Sequence, residues 1–152
     1  MYSLTRVRQP RLMNQIPPHN LWIGTIGDLH DLHRLYDLGI NAIMQLAYEE
    51  ASLALPHDLI VCRFPLLDGE GNAPATLDLA ISTLTHLLER KFATLVCCHA
   101  GMGRSPAIAA AAMSRLTGKP FATCVQRIAE CRPIAIHPRL LAEIGALCPA
   151  EL

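Results

Sequence analysis

Residues 94–118, TLVCCHAGMGRSPAIAAAAMSRLTG, join a short apolar run to an alanine-rich segment across a turn holding two glycines and one arginine. TLVCC reads as a buried strand, and 104–117 as a helix stopped by Gly118 and Pro120. A strand that turns sharply into a helix restricts the chain to folds in which helices cover a largely parallel sheet. In such folds the turn leaving the carboxyl end of a strand is where ligands bind.

The same alternation runs along the whole chain. LWIGT at 21–25 reads as a strand closed by a glycine turn, and DLHDLHRLYDL at 28–38 sets Leu29, Leu32, His33, Leu35 and Tyr36 on one helical face before Gly39. INAIMQL at 40–46 and LIVCRF at 59–64 are further strands, separated by a stretch whose pattern fits either helix or turn. LLDGEGNAP at 66–74 is a loop, and 76–91 is an amphipathic helix carrying Leu77, Ala80, Ile81, Leu84, Leu87 and Leu88. Helices at 121–131 and 138–147 close the chain. The pattern predicts a three-layer α/β fold with a mostly parallel sheet of about four to five strands flanked by helices. One domain is expected over residues 1–152, with 1–20 an irregular, solvated lead-in.

Thirteen basic and thirteen acidic side chains cancel, so no global field draws the molecule to nucleic acid or to an anionic membrane. Arg6, Arg8 and Arg11 break the amino-terminal stretch, and the apolar run at 106–113 is far below the ~20 residues of a membrane span. A monomer in the cytoplasm is expected, with its six cysteines reduced.

The turn CHAGMGRS, residues 98–105, is where chemistry concentrates. Gly101 and Gly103 let the backbone curl so that the N–H groups of His99, Ala100, Gly101, Met102 and Gly103 face one concavity, and the helix behind adds its positive end. Aligned dipoles and a guanidinium favour thiolate over thiol in a cysteine so placed, which makes Cys98 a nucleophile. Arg104 can fold back and hold two oxygens of a tetrahedral dianion in its planar fork. Cysteine, cradle and arginine together describe phosphoryl transfer through a phosphocysteine.

CHAGMGRS resembles the signature loop of the cysteine-dependent protein phosphatases: Cys, five residues, Arg, then Ser or Thr. The likeness extends from about residue 16 to 147 and is nearest to the compact dual-specificity phosphatases. The resemblance implies phosphomonoester hydrolysis on phosphorylated tyrosine, serine or threonine of a protein or peptide, with no metal or cofactor. It implies Asp68, on the loop thirty residues before Cys98, as the general acid, with Glu70 the local competitor. It also implies a hydroxyl from Ser105 to the sulfur during breakdown of the phosphoenzyme, whereas the residue's position alone suggests a bond to free helix N–H groups.

Two positions depart from that family's pattern. Cys97 stands where a histidine usually precedes the nucleophile, with His99 after it, and His137 stands where relatives often carry Asn. Cys97 is expected to point into the core, opposite Cys98. Consecutive Cys97, Cys98 and His99 lack the spacing of a metal-chelating set. Arg63, Arg127 and Arg132 are candidates to approach the pocket. The alternative functions are a phosphate-binding module without turnover and a phosphatase of a non-protein phosphomonoester.

Overall fold

The computed structural model describes residues 13–148; Arg6, Arg8 and Arg11 lie outside them. Five strands form one sheet: β1 (Asn14–Gln15), β2 (Leu21–Thr25), β3 (Ala42–Ala47), β4 (Ile60–Leu66) and β5 (Thr94–Cys98), in the order β1-β2-β5-β3-β4. β2, β5, β3 and β4 run parallel, and only β1 is antiparallel to its neighbour. β5, last in sequence, enters the slot between β2 and β3. The loops leaving β2, β3, β4 and β5 therefore open on one edge of the sheet.

Alternation of side chains sorts the strands into two cores. Trp22, Ile43, Leu95 and Cys97 face one side with Leu29 and Leu35, where α1 (Leu32–Asp37) packs. Ile23, Met44, Val96 and Cys98 face the other, beneath α2 (Pro74–Glu89), α3 (Arg104–Thr117), α4 (Phe121–Cys131) and α5 (Pro138–Gly145). The three layers and mostly parallel sheet agree with the sequence pattern. No helix among the described residues is long and apolar enough to cross a membrane.

α3 is the central helix of its layer, and every residue from Arg104 to Ser114 is buried. Ala107, Ala109, Ala110, Ala111 and Ala112 let α2, α4 and α5 approach it closely while keeping high helix propensity. Pro106 falls in the first turn, where its missing N–H costs no hydrogen bond. Gly118 ends the helix at φ 75°, its N–H donating to the Ser114 carbonyl at 2.9 Å.

Three expectations are corrected. The lead-in is not irregular throughout, because Asn14 and Gln15 pair with Ile23 and Trp22 as a short edge strand. The helix read at 28–38 is broken: Ile26–His30 is a 3-10 turn, and α1 starts after Asp31, whose side chain accepts from the Arg34 N–H at 3.1 Å. Asp28 turns back onto Thr25, accepting from its N–H at 2.7 Å and capping the start of the 3-10 turn, and Asp31, at φ −103° and ψ 72°, separates that turn from α1. The ambiguous stretch after β3 is turn and irregular backbone.

Overpacking should expose the demand for small residues under α3. Ala110→Leu is expected to destabilise the protein by about 1–3 kcal/mol in chemical denaturation. Leu79→Ala, at a residue 57% exposed on α2, should stay within about 0.5 kcal/mol of the parent.

Candidate active site

β5 ends at Cys98, which is 3% exposed, and the next five residues curl before α3 begins at Arg104. Gly101 sits at φ 68°, in the left-handed region. A Cβ there would lie 2.6 Å from Arg132 Nη2 and 2.7 Å from the Gly24 carbonyl oxygen, so only glycine fits. Gly103 precedes α3 with no side chain capping the helix, which leaves first-turn N–H groups available to an anion. Ala135 N–H donates to the Met102 carbonyl at 2.7 Å and ties the outer side of the turn to the segment after α4.

The Arg104 guanidinium is buried, with 4% of its side chain exposed. Nη1 donates to Glu49 Oε2 at 2.6 Å and to the Leu66 carbonyl at 2.9 Å, while Nη2 donates to Glu49 Oε1. Nε is buried without a hydrogen-bond partner among the described residues. Of the five guanidinium donors, Nε–H and one Nη2–H are left, adjacent on one edge. Two parallel donors on one edge suit two oxygens of a phosphoryl group. Burial opposes the charge on Arg104, but the hydrogen bonds to Glu49 and the fields of Glu49 and Asp68 hold its pKa above the ordinary value. Conversely, those hydrogen bonds hold the Glu49 carboxyl down to about 2.

Asp68 hangs over the same turn, its Oδ1 2.9 Å from where a Cβ on Gly103 would stand. Asn72 shapes the loop beneath it, bonding both the N–H and the carbonyl of Leu67 at 2.8 and 2.9 Å. Glu70 is turned away to Arg139 at 3.0 Å. The His137 ring packs beside Gly69 and accepts from the Arg139 N–H at 3.1 Å, so it braces the Asp68 loop from below.

The other candidates separate clearly. His99 meets Glu50 at 2.6 Å on the rim. Arg132 lies under the turn, donating to Asn14 Oδ1 at 2.8 Å and to the Ile23 carbonyl. Arg63 holds the loop after β3 through the Tyr48 and Glu50 carbonyls, and Arg127 lies on α4, bonded to the Pro17 carbonyl. Ser105 Oγ is buried without a hydrogen-bond partner among the described residues, so neither the helix N–H contact nor a bond to the Cys98 sulfur is formed. Cys97 points into the opposite core as expected, and burial pushes its thiol pKa up.

The family model described as polymorphic toxin system, DSP-PTPase phosphatase (Tc-R-P), matches residues 23–118, more than half of the chain. The chain belongs to this family of cysteine-dependent phosphatases. Among solved structures, human DUSP28 aligns with a TM-score of 0.81 at 19% identity, over 91% of this chain and 93% of that one. A mouse putative dual specificity phosphatase complexed with zinc tungstate gives 0.81 at 20% identity, over 95% and 92%. DUSP15 gives 0.73 at 24% identity, over 88% and 85%. At these identities the likeness is one of fold. A search of curated proteins found no match.

Glu49 and Glu50 of this phosphatase were not singled out by sequence. The available signal was their position just past a buried strand, on the carboxyl edge where ligands gather.

Two outcomes follow for the site. Gly101→Ala should abolish vanadate binding by calorimetry and lower stability, because its Cβ meets both Arg132 and the Gly24 backbone. Glu49→Gln should be less stable than the parent at neutral pH, since it strips a buried cation of its counter-charge. The folded-state pKa of Glu49 is depressed, so its contribution is full above the ordinary carboxyl value of 4.5 and is lost as pH falls toward about 2. The stability gap between the two proteins, measured by urea unfolding, should close across that window; half-exposure of the Glu49 side chain keeps the gap modest.

Proposed function

We propose that the phosphatase hydrolyses phosphorylated side chains of proteins, with Cys98 as nucleophile, Arg104 and the turn N–H groups as the phosphoryl clamp, and Asp68 as general acid. The observation that carries this reading is the free Nε edge of Arg104, buried beside Cys98 and held in orientation by Glu49. A dianion in the turn would satisfy the Nε donor that is otherwise unpaired. The Asp68 carboxyl over Gly103 supports its role in reaching the leaving oxygen.

In the first step the Cys98 thiolate forms a bond to phosphorus as the bond to the leaving oxygen breaks, and Asp68 gives that oxygen its proton. Water then attacks the phosphocysteine, Asp68 takes the proton, and phosphate leaves with the thiolate restored. Ser105 Oγ, close in sequence and unpartnered, is the hydroxyl assigned to the departing sulfur in this second step.

The turn contains no lysine, and the carboxylates of Glu49, Glu50 and Asp68 border it, which weighs against polyphosphorylated ligands. A single phosphate on a protein side chain is the better fit, with tyrosine, serine and threonine all acceptable. The enzyme is assigned to the cytoplasm, where six free thiols persist, and to a monomeric state.

The test is phosphate release from an aryl phosphate and from phosphotyrosine and phosphothreonine peptides. Cys98→Ser should abolish turnover on all three substrates. Arg104→Lys should lose about 100-fold or more in kcat/KM, as a lysine cannot present two parallel donors. Asp68→Asn should cost about 100-fold or more on phosphothreonine and much less on the aryl ester, whose leaving group needs little protonation. A wild type that binds vanadate but releases no phosphate would replace this reading with that of a phosphate-binding module.

A further inference from the structure

α3 begins at the catalytic turn and ends, ~20 Å away at 1.5 Å per residue, beside two adjoining cavities. One, of about 480 Å³, has an apolar wall of Pro17, Pro18, Met113 and Ala122 and carries Lys119 and Arg127. The other, of about 590 Å³, carries Lys91. Pro18, His19 and Thr117 line both. The first volume lies within the range of about 300–1,000 Å³ typical of small-molecule sites.

The chain has only two lysines, Lys91 and Lys119, and both lie at this end. Neither has a carboxylate within ion-pair distance among the described residues, while Arg127 beside them is paired with Glu130. Of the two carboxylates on the cavity walls, Glu130 pairs with Arg127 inside the first cavity at 3.3 Å and Glu89 turns to His86 at 3.5 Å, so neither pairs with Lys119 or Lys91. His19, at the seam, reads the resulting field: burial lowers its pKa, and Lys119, Arg127 and Lys91 each lower it further. Lys91 adopts φ 66°, the one positive value at a non-glycine among the described residues. Lys91 follows Arg90, the C-cap of α2, at a position where a glycine would sit without strain.

We propose that this paired cavity binds a small organic anion, with its apolar body against Pro17, Pro18 and Met113 and one phosphate, sulfonate or carboxylate head between Lys119 and Lys91, next to His19. The apolar wall excludes a bare inorganic ion as the best ligand. The cations here are too few for a nucleic-acid or membrane surface. The site is separate from the catalytic turn and does not depend on the reaction assigned to it.

The test is titration of the full chain with naphthalene-2-sulfonate, followed by amide and His19 ring NMR with vanadate present to occupy the catalytic turn. Shifts should cluster at residues 17–20 and 113–127, weaken with added salt, and be accompanied by a rise in the His19 pKa, since a bound anion offsets the positive field. Lys119→Gln and Lys91→Gly should each weaken binding severalfold, and together at least about tenfold. Lys91→Gly relieves the left-handed backbone, so its Tm should be unchanged or higher, which separates lost binding from lost folding. Three results would overturn the proposal: shifts confined to residues 98–105, equal affinity for the neutral 2-naphthylmethanol, or unchanged affinity in the double variant. If vanadate itself fails to bind, the phosphatase mechanism is in question while the location of the sulfonate shifts still decides this site.

Discussion

Arg104 is a cation taken almost wholly out of water at the carboxyl edge of the sheet, and the loops on that edge are arranged around keeping it charged. Removing a guanidinium from solvent costs several kcal/mol unless donors find acceptors. Glu49 and the Leu66 carbonyl take three of the five, and they come from the ends of β3 and β4. Because β5 lies beside β3, the strand that delivers Cys98 and Arg104 ends next to the strand that delivers Glu49. The position of Cys98, the orientation of Arg104 and the route of the loop after β3 thus share one cause in strand order.

What sequence made legible follows from how local each signal is. The 94–118 junction is written in consecutive residues: apolar run, glycines, arginine, alanine helix. The loop that carries Asp68 was legible from its Gly, Asn and Pro content ahead of an amphipathic helix, and Asp68 itself was singled out through the family resemblance. The partnership of Glu49 with Arg104 spans fifty-five residues and depends on which strands are neighbours, which no local pattern encodes. Asn14 is the same kind of case: a two-residue strand has no periodicity, yet it places an amide on Arg132 beneath the turn. The break at Asp31 was hidden because the 28–38 pattern satisfies a helix equally well, and Asp31 ends one turn and caps the next helix through a backbone conformation no apolar pattern encodes.

Cys97 and Cys98 show how strongly strand geometry governs chemistry. They are adjacent in sequence and both buried, but alternation sends one into the layer under α1 and the other to the mouth of the turn beneath α3. Burial with no hydrogen-bonding compensation keeps Cys97 a neutral packing group. A cysteine in place of the usual histidine before Cys98 therefore removes a polar group from this position and leaves a small apolar one. His99, tied to Glu50, instead fixes the rim from the solvent side.

The close pairing of Glu49 with Arg104 also changes what an approaching anion senses. Viewed from beyond a Debye length, about 8 Å at physiological ionic strength, the two charges cancel to a dipole whose field dies away faster than that of a lone cation. The Arg104 guanidinium is thus electrically quiet at long range and becomes attractive only when an oxygen of an anion is near enough to meet the free Nε edge itself. Selection at this mouth is then made by contact and shape more than by distant attraction, and crowding by the many other anions of a cell has little purchase on it.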